Sequence, residues 1–303
     1  NCFQRENALK QEKEMKKDLT QGNVTKTMLL FACPMILGNL LQQCYNIADT
    51  LIVGRFLGSD ALAAVGSAYS LMTFLTSIII GLCMGSGTVF SVWFGKKDKP
   101  QLKNSIVTSF LFISIITVAI NILVFAGIDF ILYTLRVPAD IYILMREYVW
   151  TIFYGIFFVF LYNYFAFLLR AIGNSVMPLC FLGIAAVLNI VLDILFVVIL
   201  GKGVGGAAVA TVISQAVSGI GIGIYVWFKE VDLHPKINEL VVSKKMTVEV
   251  VRNSTAACVQ QSVMNFGILM IQGLVNSFGA TVMAAFAAAV KIDSFAYMPA
   301  QEF

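Results

Sequence analysis

Six apolar runs of twenty or more residues, a seventh from about residue 247 and an eighth after residue 280 divide this chain, with polar stretches between them. Each is long enough to cross about 30 Å of hydrocarbon, where backbone amides must find partners within their own segment. The chain is therefore expected to be all-α, a polytopic membrane protein. Of its 303 residues 59% are apolar and 13% charged, against roughly a quarter charged in a soluble domain. That balance excludes soluble enzymes and nucleic-acid binders.

Apolar length places span 1 at about 24 to 54, span 2 at 61 to 94, span 3 at 101 to 125 and a short amphipathic stretch near 128 to 135. Span 4 follows at 139 to 169, span 5 at 176 to 200 and span 6 at 204 to 228. Spans 2 and 4 exceed the minimum crossing length, so they tilt, bend or extend beyond the bilayer.

Basic residues set the orientation. Arg5, Lys10, Lys13, Lys16, Lys17 and Lys26 precede span 1, Lys96, Lys97, Lys99 and Lys103 lie around the second loop, and Lys229, Lys236, Lys244, Lys245 and Arg252 follow span 6. The alternate loops hold Arg55, Arg136 and Lys202, one each. The positive-inside rule then puts the N-terminus and even-numbered loops in the cytoplasm. The basic loops can also touch anionic head groups. No cleavable signal is visible, because a polar stretch of 26 residues precedes a first apolar run too long for a signal segment. Cys2, Cys33, Cys44, Cys83, Cys180 and Cys258 lie mostly inside apolar runs without CxxC spacing, so buried thiols are expected rather than disulfides or a metal site.

A weak internal repeat links Leu41-Gln42-Gln43 to Val259-Gln260-Gln261, and the segment Gly58 to Ala64 to Gly279 to Ala285, at offsets of 218 and 221. That period is one six-helix unit. An even number of spans gives both copies one orientation, so the halves would be related by an axis along the membrane normal, with a cavity between them. The expected organisation is a polar N-terminal segment at 1–23, a first six-helix lobe at 24–228, a cytoplasmic connector at 229–246 and the start of a second lobe at 247–303. On this reading the chain is a fragment, and the stretch from Met15 resembles a true start behind a short leader.

Charges inside a bilayer are costly and mark functional candidates. Asp49 and Asp193 stand near the outer ends of spans 1 and 5, six residues before Arg55 and eight before Gly201, or roughly 9 and 12 Å below them. Each has a polar residue one turn below on the same face, Tyr45 for Asp49 and Asn189 for Asp193. Gln42 extends the first stripe, and Thr211 in span 6 reaches the same level. Two carboxyls brought together in a poorly hydrated pocket cannot both ionise cheaply, which suits a site that takes up and releases a cation. The plainer reading of Asp49 is that it caps an unwound end of span 1 or pairs with Arg55.

Other features take structural readings. Gly201, Gly203 and Gly206 fit a dinucleotide fingerprint but lie between two spans, so a tight turn is expected. Gly81 with Gly85, and Gly219 with Gly223, have the spacing of close helix packing. Lys291 and Asp293 are two apart and not on one face; their role is unassigned. The lone His234 is read as a solvated loop residue.

The run Leu19-Thr20-Gln21-Gly22, then Pro34, then Gln42-Gln43-Cys44-Tyr45-Asn46-Ile47-Ala48-Asp49-Thr50 and Val53-Gly54-Arg55-Phe56-Leu57-Gly58 resembles the opening of a multidrug and toxic compound extrusion (MATE) transporter. The likeness continues through Ala61 to Gly66, Gly81 to Gly87, Arg170 to Asn174 and Asn189-Ile190-Val191-Leu192-Asp193, and covers the chain from about Asp18. The resemblance implies twelve helices in two parallel six-helix lobes, of which about eight are present. It implies a multi-pass protein of a prokaryotic cell membrane that exports cationic or amphipathic drugs or metabolites by alternating access, as a monomer and without nucleic-acid partners. Carried over by position, Asp49 and Asp193 would hold the coupling ion, with Tyr45, Tyr148, Asn189 and Thr211 as hydrogen-bond partners. Gln42 and Asn163 would line the cavity, and Pro34, which removes a helix hydrogen bond, would let span 1 bend. No cofactor or resident metal is implied; the coupling ion is a proton or sodium. Span 7 departs from the branch whose sodium site uses a carboxylate there, because no acid occurs between Ser254 and Ser277.

The nearest rival is a flippase for lipid-linked saccharides, whose cavity should be richer in Arg and Lys. An enzyme would need a nucleophile or metal cluster within the bilayer, and the sequence offers none.

Overall fold

The computed structural model describes residues 24–233 and 244–301. Among these the chain forms α1 (Val24–Leu57), α2 (Ser59–Gly95), α3 (Lys99–Thr134), α4 (Ala139–Phe153), α5 (Ile156–Ala171), α6 (Val176–Asp193), α7 (Gly203–Lys229), α8 (Lys244–Asn276) and α9 (Ala280–Gln301). A π-helical segment, Ile194–Ile199, continues α6, and a short 3₁₀ turn, Val231–Leu233, follows α7. The described chain is a multi-span helical membrane protein: six helices are long and apolar enough to cross a bilayer, and α4 with α5, bent by 48° where they meet, are so when taken together.

Three boundaries differ from the sequence expectation. The stretch at 128–135 is not a separate amphipathic helix but the last turns of α3, whose Ile128 and Leu132 are buried. Span 4 breaks at Tyr154 and Gly155, whereas span 2, longer still, runs through as one helix. Finally, α8 begins at Lys244, within the stretch expected to be a connector. The N-terminal segment before Val24, with its basic residues, and His234, Lys236 and Glu302 lie outside the described residues.

The loops follow from local chemistry. Asp98 caps α3 by accepting from the Gln101 N–H at 3.1 Å, with a proline in the first turn. Gly201 and Gly203 both have positive φ, 60° and 62°, which makes the α6–α7 connection the tight turn expected there. Among the described cysteines the buried-thiol reading holds for Cys83 alone; Cys33, Cys44 and Cys180 are exposed, Cys258 is half-buried, and Cys2 lies outside the described residues. An apolar run buries one face in protein and offers the other to lipid, so apolar context does not mean protein burial.

The central element is α2. Its small residues, including Ala61, Ala63, Ala64, Gly66 and Ala68, are buried, and it packs against α1, α3, α4, α5, α8 and α9. Gly81 and Gly85 account for its closest partner: a Cβ on Gly81 would stand 2.5 Å from Cα of Cys258, and one on Gly85 would collide with the Asn253 carbonyl and Ser254. The backbones of α2 and α8 touch there, as small residues permit in a membrane. Gly219 does the same for α7 against the Phe158 carbonyl of α5.

Candidate functional site

Two helices running side by side in the same direction bring the acids together. Gly38 of α1 faces Leu179 and Leu182 of α6, and Gly183 faces Leu41. Asp49 is eleven residues beyond Gly38, and Asp193 is eleven beyond Leu182. Eleven residues make about three helical turns, so both carboxylates return to the contact face at one height. Asp49 and Asp193 are indeed within electrostatic reach of each other. Tyr148 of α4 reaches both of them and Tyr45 as well. Asp49 lies eight residues before the end of α1, so it caps no helix terminus.

Asp193 is fully buried, and neither of its carboxylate oxygens has a hydrogen-bond partner among the described residues. One turn below, Asn189 donates from Nδ2 to Oγ1 of Thr211 at 3.3 Å, and that hydroxyl donates to the Ala207 carbonyl at 3.1 Å. This chain of donation leaves Oδ1 of Asn189 buried without a donor. Three acceptor oxygens on adjacent turns of α6 are therefore buried without a hydrogen-bond donor among the described residues. Immediately beyond Asp193 the helix turns from α to π, a local widening often found at functional sites.

The remaining sequence candidates are more scattered. Tyr45 is half-buried, and its hydroxyl interacts with Gln42 on its own helix, close to Tyr69 of α2 and Tyr162 of α5. Gln42 itself is exposed. Asn163 is half-buried and turns its amide back on its own helix, donating to the Val159 carbonyl at 2.8 Å. Pro34 lies inside α1, which runs through it as one helix. Asp293 is exposed on α9, and the Lys291 side chain lies outside the described set.

Two groups of residues escaped the sequence reading. Tyr69 and Tyr162 extend the polar group around Tyr45, and Tyr162 donates to the Pro178 carbonyl at 3.1 Å. A second, wholly buried network ties α8 to α2. Gln272 donates to Ser67 Oγ at 2.8 Å and to Asn276 Oδ1 at 2.7 Å, Ser70 donates to Gln272 Oε1 at 3.1 Å, and Asn276 donates to the Leu135 carbonyl at 2.8 Å. The available signal was polar residues recurring at one-turn spacing inside apolar helices, but nothing in one chain segment shows which segment answers it.

A family model described as MatE matches residues 34–195, more than half of the chain and the whole stretch from Pro34 through Asp193. The chain belongs to the MATE family. It is 32% identical over 93% of its length to the "Probable multidrug resistance protein YpnP" of Bacillus subtilis (strain 168), and spans 63% of that relative. Among solved structures it is similar to an outward-facing MATE transporter (TM-score 0.81, 25% identity, 91% of this chain and 62% of that one). It is also similar to an inward-facing one (TM-score 0.78, 25% identity, 88% and 62%). MATE relatives thus share this helical arrangement in two opposite conformations, and the chain spans less than two thirds of each.

Proposed function

We propose that the protein carrying this chain is a cation-coupled efflux antiporter for cationic or amphipathic small molecules, working by alternating access of two six-helix lobes in a cell membrane with its N-terminus in the cytoplasm. The observation that carries the reading is the donor-free set of acceptors on α6: both Asp193 oxygens and Asn189 Oδ1, with Asp49 alongside. A buried carboxylate is costly unless a positive species answers it. A proton or a sodium ion supplies that charge, and either is a coupling ion.

The first lobe spans 24–228, and 247–303 begins the second. Entry of the cation at Asp49 and Asp193 relieves the repulsion between them and draws α1 along α6 over the Gly38 and Gly183 contacts. Pro34, lacking an amide hydrogen, is where α1 yields, with Tyr45, Tyr148 and Thr211 orienting the site and Gln42 and Asn163 lining the drug path. The lobes then rock to open outward, and cation release resets them. Support comes from family membership and from relatives solved facing both ways.

Export of a fluorescent lipophilic cation, followed as its accumulation inside everted vesicles, tests this, with a pH gradient or a sodium gradient imposed in turn. Asp49→Asn and Asp193→Asn should each lower gradient-driven efflux by about tenfold or more, the loss of one charge-assisted contact. Transport unchanged in both variants overturns the proposal, and the gradient that drives the wild type names the ion.

A further inference from the structure

On the far side of α4 from Tyr148, a stripe at helical spacing, Ile143, Arg146, Glu147 and Trp150, with Thr151 beside it, lines an open cavity of about 330 Å³. It combines groups that rarely meet on a lipid-facing surface. Arg146 donates from Nε to Asp129 Oδ1 of α3 at 2.7 Å, and Tyr142 donates to the same oxygen at 2.7 Å, so Asp129 holds the guanidinium in place. Four further N–H donors remain on such a group. Glu147 points the other way: its carboxylate lies against Gly205 in the first turn of α7, where a helix N-terminus favours negative charge. Trp150 forms the floor, edge-on to Phe125 at 4.7 Å, and Tyr154 continues the aromatic surface at 5.1 Å from Phe125.

Unlike buried Asp193, these charged groups are exposed, near the ends of their helices. Arg146 and Glu147 lie seven and eight residues from the start of α4, and Asp129 five from the end of α3, roughly 8–12 Å along the axes. Long charged side chains at that depth reach the head groups, while the aromatic floor meets the chains below.

We propose that this cavity binds the head group of a phospholipid that is zwitterionic with a primary amine, phosphatidylethanolamine: the phosphate on the free edge of Arg146, the ammonium on Glu147 and Thr151. Adjacent charges of opposite sign fit a zwitterion. A lone anion would meet Glu147, and an anionic lipid without an amine would bring that carboxylate no N–H donor. A quaternary ammonium would need the Trp150 face, which the Arg146 guanidinium already covers at 5.5 Å, and carries no N–H for Glu147. The site is separate from the acidic cluster and stands whether or not the protein proves to be an antiporter.

The test is native mass spectrometry of the protein ejected from nanodiscs containing equal parts phosphatidylethanolamine, phosphatidylcholine and phosphatidylglycerol. Phosphatidylethanolamine should be retained about fivefold over phosphatidylcholine, and Glu147→Gln and Arg146→Gln should each erase that preference. A second measurement uses the wild type alone: stepwise N-methylation of the lipid amine should lower retention with each N–H lost. Equal retention of all three lipids, a preference surviving both substitutions, indifference to methylation, or a phosphatidylglycerol preference lost only in Arg146→Gln each overturns the proposal.

Discussion

Asp193 occupies the last α-helical position of α6, fully buried, with the π-helical turn directly beyond it. Its neighbour Asn189 is held by Thr211: the donated hydrogen bond engages the amide nitrogen and leaves Oδ1 buried without a donor among the described residues. Thr211→Val keeps the shape and removes the hydroxyl. We expect the apparent affinity for the coupling cation to weaken about fivefold, as one lost hydrogen bond of roughly 1 kcal/mol implies, with maximal efflux retained. Cation titration of transport checks this, and an unchanged half-saturation point would mean that Asn189 needs no steering. The two acids were legible in the sequence because a carboxylate inside an apolar run is costly enough to stand out. Tyr148 was not; it is one tyrosine among ten, and only the family likeness pointed to it before its reach to both acids was known.

At the scale of elements, glycines decide which helices meet. The spacing of Gly81 and Gly85 announced a close contact, but the partner helix begins about 160 residues later in the sequence, beyond any local pattern. Gly85→Ala would drive a Cβ into the α8 backbone at Asn253 and Ser254, and neither backbone can bend away without disturbing the bundle. Overpacking of this kind costs about 1–3 kcal/mol. Thermal unfolding in detergent should show a clearly lowered midpoint for Gly85→Ala and none for Gly95→Ala, whose surroundings are open. A midpoint equal to wild type for Gly85→Ala would contradict the contact. The bend between α4 and α5 belongs to the same scale: excess apolar length foretold a bend or a tilt, and packing chose the bend at Gly155, where a Cβ would press on Val212 of α7 at 2.9 Å.

For the molecule as a whole, the contact of α8 with α2 matters most, because it joins the first six spans to the seventh. Gly81 and Gly85 let the two backbones touch, and the Ser67, Ser70, Gln272 and Asn276 network locks their register, reaching the Leu135 carbonyl at the end of α3. Every member is buried and hydrogen-bonded, so removing one leaves others unsatisfied. Gln272→Ala should destabilise the protein by about 1–2 kcal/mol, the upper range for polar contacts between membrane helices. Ser67→Ala should cost less, and the double variant should fall short of the sum, since both act on one network. Additive effects would show that the two residues stabilise the fold independently. Unfolding monitored with each variant in the same detergent distinguishes these outcomes.

The sequence alone determined that the chain crosses a membrane repeatedly as helices, nearly where each helix lies, and that Asp49 and Asp193 are exceptional. These are properties of single segments in hydrocarbon: length against bilayer thickness, and the cost of one charge. The tertiary structure alone decided which helices pair, that three acceptor oxygens of Asn189 and Asp193 lie buried without a donor among the described residues, and that α8 is tied to α2 and the end of α3 by a buried polar network. The reason is physical. Lipid is as apolar as a leucine side chain, so hydropathy cannot tell a face buried in protein from one exposed to lipid, and helix association rests on close fit and polar pairing between segments far apart in the chain.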